Sequence, residues 1–220
     1  MKTGERGFTL IEMLLVIAII GVLSSALIFS YGRVVKSAAR AKAVELVSNA
    51  RTAFEELRRN KEGWPQSILK ARQENGYYVM DEDVAKTFAM NGLLNVDCKV
   101  GSKRSECKLR GKDRCGIVSP WAQDALASKD RSLSGSALLS TSVPTGGTMR
   151  DHLLYFAVDR DEDGFVKRDE GAPVEAVRAS VIVWCAGADG KISGSPGPGS
   201  TTGEDRDNVY SWEKAQEDGQ

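Results

Sequence analysis

The chain has 220 residues, a length for one domain plus an extension, and its 30 basic and 30 acidic side chains leave no net charge. The balance is uneven: residues 33–62 hold eight basic and four acidic side chains, and residues 159–220 hold seven and fourteen, so the acidic end excludes a nucleic-acid surface there. The single histidine, His152, sits in a strand-like run. No Gly-rich phosphate loop, Ser-His-Asp set or close carboxylate pair stands out from the surface charge, which excludes a recognisable catalytic apparatus.

The first element is an apolar run, Gly7 to Tyr31, GFTLIEMLLVIAIIGVLSSALIFSY. About 20 apolar residues span a bilayer core, so this run predicts a membrane helix. Glu12 is its one acid, and a carboxylate within a membrane segment costs ~2.5–3.5 kcal/mol or more unless it has a partner. The preceding MKTGERG is short and polar, and its small residue, Gly7, comes before the apolar core, the reverse of a secretory signal peptide. Lys2 and Arg6 favour a cytoplasmic N-terminus, yet Arg33, Lys36, Arg40 and Lys42 follow the run, so charge alone leaves the orientation open.

Gly7-Phe8-Thr9-Leu10-Ile11-Glu12 followed by the apolar run resembles the leader junction of type IV pilins and type II secretion pseudopilins. The resemblance implies that a membrane prepilin peptidase cuts after Gly7 and methylates the new amine of Phe8. It also implies that Glu12 pairs with the terminal amine of a neighbouring subunit during assembly. Such pairing fits the physics, because a charge kept out of water needs its counter-charge.

Helical patterning continues past the apolar run. Val35, Ala39, Ala43, Leu46 or Val47, Ala50, Phe54 and Leu57 recur at spacings of three and four, one apolar stripe on a helix. A single helix is expected from about Phe8 to about Asn60, ended by Gly63 and Trp64-Pro65. Gln66–Arg72 reads as a helical turn and Asp81–Met90 as a short helix closed by Asn91-Gly92. Residues 95–116 are basic and cysteine-rich. Cys98, Cys107 and Cys115 lack the close CXXC pair of a zinc site, so with Cys185 they are disulfide candidates if the head is exported, in any of three pairings. Residues 128–147 read as a Ser/Gly/Thr-rich loop.

Strand patterns follow. HLLYFAV (152–158) reads as a buried strand with Phe165–Lys167 as its pairing partner, and VRASVIVWC (177–185) as the strongest strand in the chain. A long helix packed on a small antiparallel sheet makes the fold class α+β. Within this region DRDEDGFVKRDE (159–170) fits the calcium-loop template D-x-D-x-D-G-x5-E, with Asp159, Asp161, Asp163, the Phe165 carbonyl and Glu170 as ligands. A hairpin with a solvated acidic tip fits the same string. The C-terminal stretch from Gly187 to Trp212 resembles the calcium loop of major secretion pseudopilins, with Asp189, Asp207 and Ser211 at the matching positions; a loop pinned by Trp212 also fits.

The resemblance implies a leader at 1–7, a transmembrane half-helix at 8–31, an amphipathic half at 32–60 and an exported, loop-ended head at 61–220. Its pilin-like architecture implies a structural subunit, not an enzyme. It would sit in the inner membrane by a single pass, head in the periplasm, or outside the cell in a pilus. Its partners would be other pilin-like subunits in a homo- or hetero-oligomeric filament, the prepilin peptidase and the inner-membrane assembly platform. The C-terminal loop favours a secretion pseudopilin. A pilus subunit for adhesion, motility or DNA uptake is the alternative, and a tethered calcium-binding module that never polymerises is a third, against which Glu12 argues.

Overall fold

The structure is a computed structural model that describes residues 10–74, 76–94, 116–127, 138–193, 196–198, 203 and 205–212, with the backbone alone for 26–33 and 124–127. The chain divides into two compact units, residues 1–39 and 40–220. One helix, α1 (Leu10–Lys61), supplies all the described residues of the first unit and opens the second. In the first unit its large apolar side chains, among them Leu10, Ile11, Ile17 and Val22, are exposed. The helix runs through Gly21, Ser24 and Ser25 unbroken, and Ser25 Oγ donates back to the Val22 carbonyl at 2.7 Å. The fully described apolar stretch ends at Ser25, and among the described residues no helix is long and apolar enough to cross a membrane.

The expected stripe appears on the second half of α1, starting later than its sequence pattern. Ala43, Val47, Ala50, Ala53, Phe54 and Leu57 are buried, Leu46 is half-buried, and Val35 is exposed. Val35 belongs to the first unit. The helix stops where the breakers stand: Gly63 N–H donates to the Arg58 carbonyl at 3.1 Å, with Gly63 at φ 145°. Basic residues Arg58, Arg59 and Lys61 fill its last turn, favourable against the carbonyl end of the helix dipole.

After α2 (Gln66–Leu69) comes a hairpin of β1 (Gln73–Glu74) and β2 (Tyr77–Val79), with Gly76 in its turn at φ 83°. α3 (Glu82–Met90) is capped by Asp81, whose side chain accepts from the amides of Asp83 and Val84. α4 (Pro120–Ala127) starts on a proline, the residue suited to a first helical position. Then follow β3 (Leu154–Val158), β4 (Phe165–Lys167), a 3-10 turn at Arg168–Glu170, β5 (Ala176–Arg178), β6 (Val181–Cys185) and β7 (Val209–Tyr210).

Five strands form one antiparallel sheet in the order β1-β2-β3-β6-β7, confirming the α+β class. Two strand expectations need correction. Phe165–Lys167 does not pair with β3, because β2 and β6 already occupy both of its edges; it pairs instead with β5 in a separate two-stranded ribbon. The run 177–185 is not one strand. It bends at Ala179–Ser180, where the Ser180 carbonyl accepts from Asp159 N–H, so its two halves belong to different sheets.

Every residue of β3 and β6 is buried. Leu154, Phe156, Val158, Val181, Val183 and Cys185 face the α1 stripe, and Tyr155, Ala157, Ile182 and Trp184 face a second core with Val79, Val118 and Met149. Both faces are covered, so these strands show no polar alternation. Phe54 is the hub of the first core, its ring 4.8 Å from the rings of both Phe88 and Phe156. Replacing it with alanine leaves a cavity beneath α1. Phe54→Ala is expected to destabilise the head by about 3–5 kcal/mol, read from urea unfolding of the full-length protein in detergent.

Candidate functional site

Two places carry the residues singled out in the sequence. At the N-terminus, Gly7 and Phe8 lie outside the described residues, while Glu12 stands in the first turn of α1.

The second place is the turn from β3 to the 3-10 helix, residues 159–170. Its geometry follows from side-chain caps on the backbone. Asp159 Oδ2 accepts from Gly164 N–H at 3.0 Å, Asp161 Oδ1 from Asp163 N–H at 3.3 Å, and Asp163 Oδ1 from Phe165 N–H at 2.9 Å. Glu162 and Gly164 take left-handed φ values of 61° and 90°, which bend the chain back on itself. Glu170 closes the turn: Oε1 accepts from Arg160 N–H and from Asp161 N–H, and Oε2 accepts from Lys167 N–H at 3.0 Å.

As a result one carboxylate oxygen each from Asp159, Asp161 and Glu170 lie within 4.8 Å of one another, the one group of three or more such ligands among the described residues. Asp163 is not part of this group; with Asp161 it holds the Lys167 amine, 2.9 Å from Asp161 Oδ2. Phe165 is exposed on β4. The Lys167 contact keeps the Asp161 carboxyl below its ordinary range, and the two aspartates push the Lys167 amine above its own. Asp159 and Glu170 are buried, and Asp159 Oδ1 has no hydrogen-bond partner.

Lys167 and Trp64 were missed in the sequence. Lys167 stands four residues beyond Asp163, but that spacing brings charges together on a helix and not on a turn leading into a strand, so it gave no signal. Trp64 Nε1–H donates to the Asp159 carbonyl at 2.7 Å, and its ring lies under Arg58, whose guanidinium also reaches Glu162 at 3.7 Å. No local pattern in the sequence announces that long-range contact.

In the C-terminal loop each candidate ligand is engaged with the backbone. Asp189 Oδ1 accepts from Lys191 N–H, Asp207 Oδ2 from Ala188 N–H, and Ser211 Oγ from Val183 N–H. Gly187 is required here, because a Cβ at that position would meet the Asp207 carboxylate at 2.0 Å. Asp205, which the sequence did not single out, accepts from Ser193 and Asn208. No group of three carboxylates converges in this loop among the described residues. Trp212 packs edge-on to Trp184 and Tyr210, so the aromatic pin is present.

Of the disulfide candidates, Cys98, Cys107 and Cys115 lie outside the described residues. Cys185 is corrected: it is a free thiol, fully buried on the α1 side of β6, and burial pushes its pKa up to about 12. A thiol so placed is inert core packing.

His152 is likewise structural. It is buried, with Nε2–H directed at the Gly146 carbonyl (2.9 Å) and Nδ1 placed to accept from Ser119 Oγ (3.1 Å). Burial lowers its pKa, partly opposed by the Gly146 bond and by Asp151, Asp189 and Asp207. The unfolded chain therefore takes a proton near pH 6.5 before the folded one does. Stability is expected to be full above that pH and to fall as pH drops below it. His152→Asn is expected to flatten the melting temperature between pH 7 and about 5.5.

Comparison with known proteins agrees with the N-terminal reading. Residues 2–28 match the family described as the prokaryotic N-terminal methylation motif. The chain is 34% identical over 129 residues to a type IV major pilin protein PilE1 of Neisseria gonorrhoeae, covering 56% of this chain and 72% of that protein. It is 31% identical over 122 residues to the type IV major fimbrial protein FimA of Dichelobacter nodosus, covering 51% and 74%. A fimbrial protein of Neisseria meningitidis serogroup B is 28% identical over 123 residues, covering 56% and 69%. No solved structure matches. An N-terminal helix carrying a methylation motif and packed on an antiparallel sheet defines a pilin-like structural subunit, not an enzyme. The chain belongs to the type IV pilin family.

Proposed function

We propose that this chain is a filament subunit of a type IV pilus, held in the inner membrane by residues 8–31 before assembly and extracellular once polymerised. The observation that carries this is the first half of α1: exposed apolar side chains from Leu10 to Leu23 around one acid, Glu12, in the first turn. Apolar surface of that extent needs a covering of lipid or neighbouring helices. In the membrane it would meet lipid, and in the filament the same segment of adjacent subunits. Glu12 would then take its counter-charge from the methylated amine of a neighbour's Phe8, a pairing that sets the stagger between subunits.

The relatives support the pilus over the secretion system, since they are named as major pilin and fimbrial proteins. A secretion pseudopilin would use the same junction and helix, so it is the names of the relatives and not the junction that favour the pilus. The prepilin peptidase, the assembly platform and other pilin-like subunits are the partners this reading requires.

Two measurements test it. Mass spectrometry of the protein from its native host is expected to show a chain starting at N-methylated Phe8; a chain starting at Met1 overturns the processing. Glu12→Ala is expected to insert in the membrane at normal levels while surface filaments vanish in electron micrographs, because only a partner charge makes that acid tolerable in an apolar setting. Normal filaments from that variant overturn the assembly role.

A further inference from the structure

We infer that the turn at residues 159–170 is a calcium site, with Asp159, Asp161 and Glu170 as its carboxylate ligands. The inference is independent of which filament the chain builds. It rests on two separate observations. First, the three carboxylates converge within 4.8 Å although Asp161 and Glu170 are nine residues apart. Second, Asp159 is 1% exposed and its Oδ1 has no hydrogen-bond partner. A buried carboxylate oxygen without a donor is costly, and a cation among the three acids removes that cost.

The donor chemistry selects the ion. All three ligands are hard carboxylate oxygens, with no His or Cys in the group, which disfavours zinc. The site lies on an irregular turn with an exposed ligand, Asp161, a setting that suits the flexible, oxygen-rich coordination of calcium better than the strict octahedron of magnesium. The spacing of Asp159, Asp161, Gly164 and Glu170 is that of a twelve-residue calcium loop, here running from the end of β3 through β4 into the 3-10 turn rather than between two helices.

Lys167 supplies the competing charge. Its amine bridges Asp161 and Asp163 and leaves Asp159 Oδ1 unpaired. Calcium entering the group draws Asp161 away from the amine, so ion and amine compete for the same carboxylate. Removing the amine therefore tightens calcium binding, an effect that a role in holding the turn together does not produce.

The test is equilibrium dialysis of the full-length protein in detergent against radioactive calcium, with variants. The wild type is expected to bind calcium at up to about millimolar concentration, with magnesium displacing it poorly. Asp161→Asn, at an exposed position that the fold tolerates, is expected to weaken binding about tenfold or more through the loss of ligand charge. Lys167→Gln is expected to tighten it several-fold, and Asp207→Asn to leave it unchanged. Absence of bound calcium, or affinity unaltered by Asp161→Asn, overturns the site. Affinity lowered by Asp207→Asn but not by Asp161→Asn moves the ion to the C-terminal loop and equally overturns it. Unchanged affinity in Lys167→Gln overturns the competition.

Discussion

Ala43, Val47, Ala50, Phe54 and Leu57 lie on one side of α1 and are shielded from water by Leu154, Phe156, Val158, Val181 and Val183 of the sheet. The remainder of the head is arranged about that contact. Each large apolar side chain so buried contributes roughly 1.5–3 kcal/mol. Phe54 reaches both Phe88 and Phe156 from this face of the helix. α3 closes over Phe54, with Val84 and Phe88 of α3 and Met80 just before it in the same core.

The second layer of organisation is polar and sits where α1 ends. Trp64, Arg58 and the 159–170 turn form one unit: an indole hydrogen bond to the Asp159 carbonyl, a guanidinium over the indole, and the same guanidinium against Glu162. The surface ion pair alone is worth little. The indole bond differs, because it satisfies a backbone carbonyl next to a buried carboxylate. The acidic turn is thereby held on a rigid support, the junction of a helix end and a sheet strand, and not on a free loop.

The sequence was most legible where one element answers to one pattern. The α1 stripe, its stop at Gly63-Trp64-Pro65, the short helix ending at Met90 and the β3 and β6 runs could all be read from local spacing. Pairing was not legible, because it depends on which strand edges are already occupied; β4 was assigned to β3 although β2 and β6 flank that strand. The β1–β2 hairpin carried a readable signal, the Asn75-Gly76 dipeptide between Glu74 and Tyr77, and α4 carried another in Ser119-Pro120. The acidic turn was half legible. Its ligand spacing stood in the string, but the split of its acids into a converging set and a pair engaged with Lys167 depends on how the turn folds back on itself, which spacing does not encode. Cys185 shows the opposite failure: a cysteine count suggests bridges, while burial within β6 decides that this one is core.

The way α1 joins the head also has a mechanical meaning. Within the head, tension carried along the backbone of α1 is taken up by the Ala43–Leu57 contact and the Trp64 bond beyond it. An apolar contact spread over four helical turns resists sliding because many side chains must leave their places together. The indole bond adds a point fixing at the end of the lever. A pull is thus distributed over β3 and β6, the two central strands, whose interlocked side chains on both faces leave little room for local yielding.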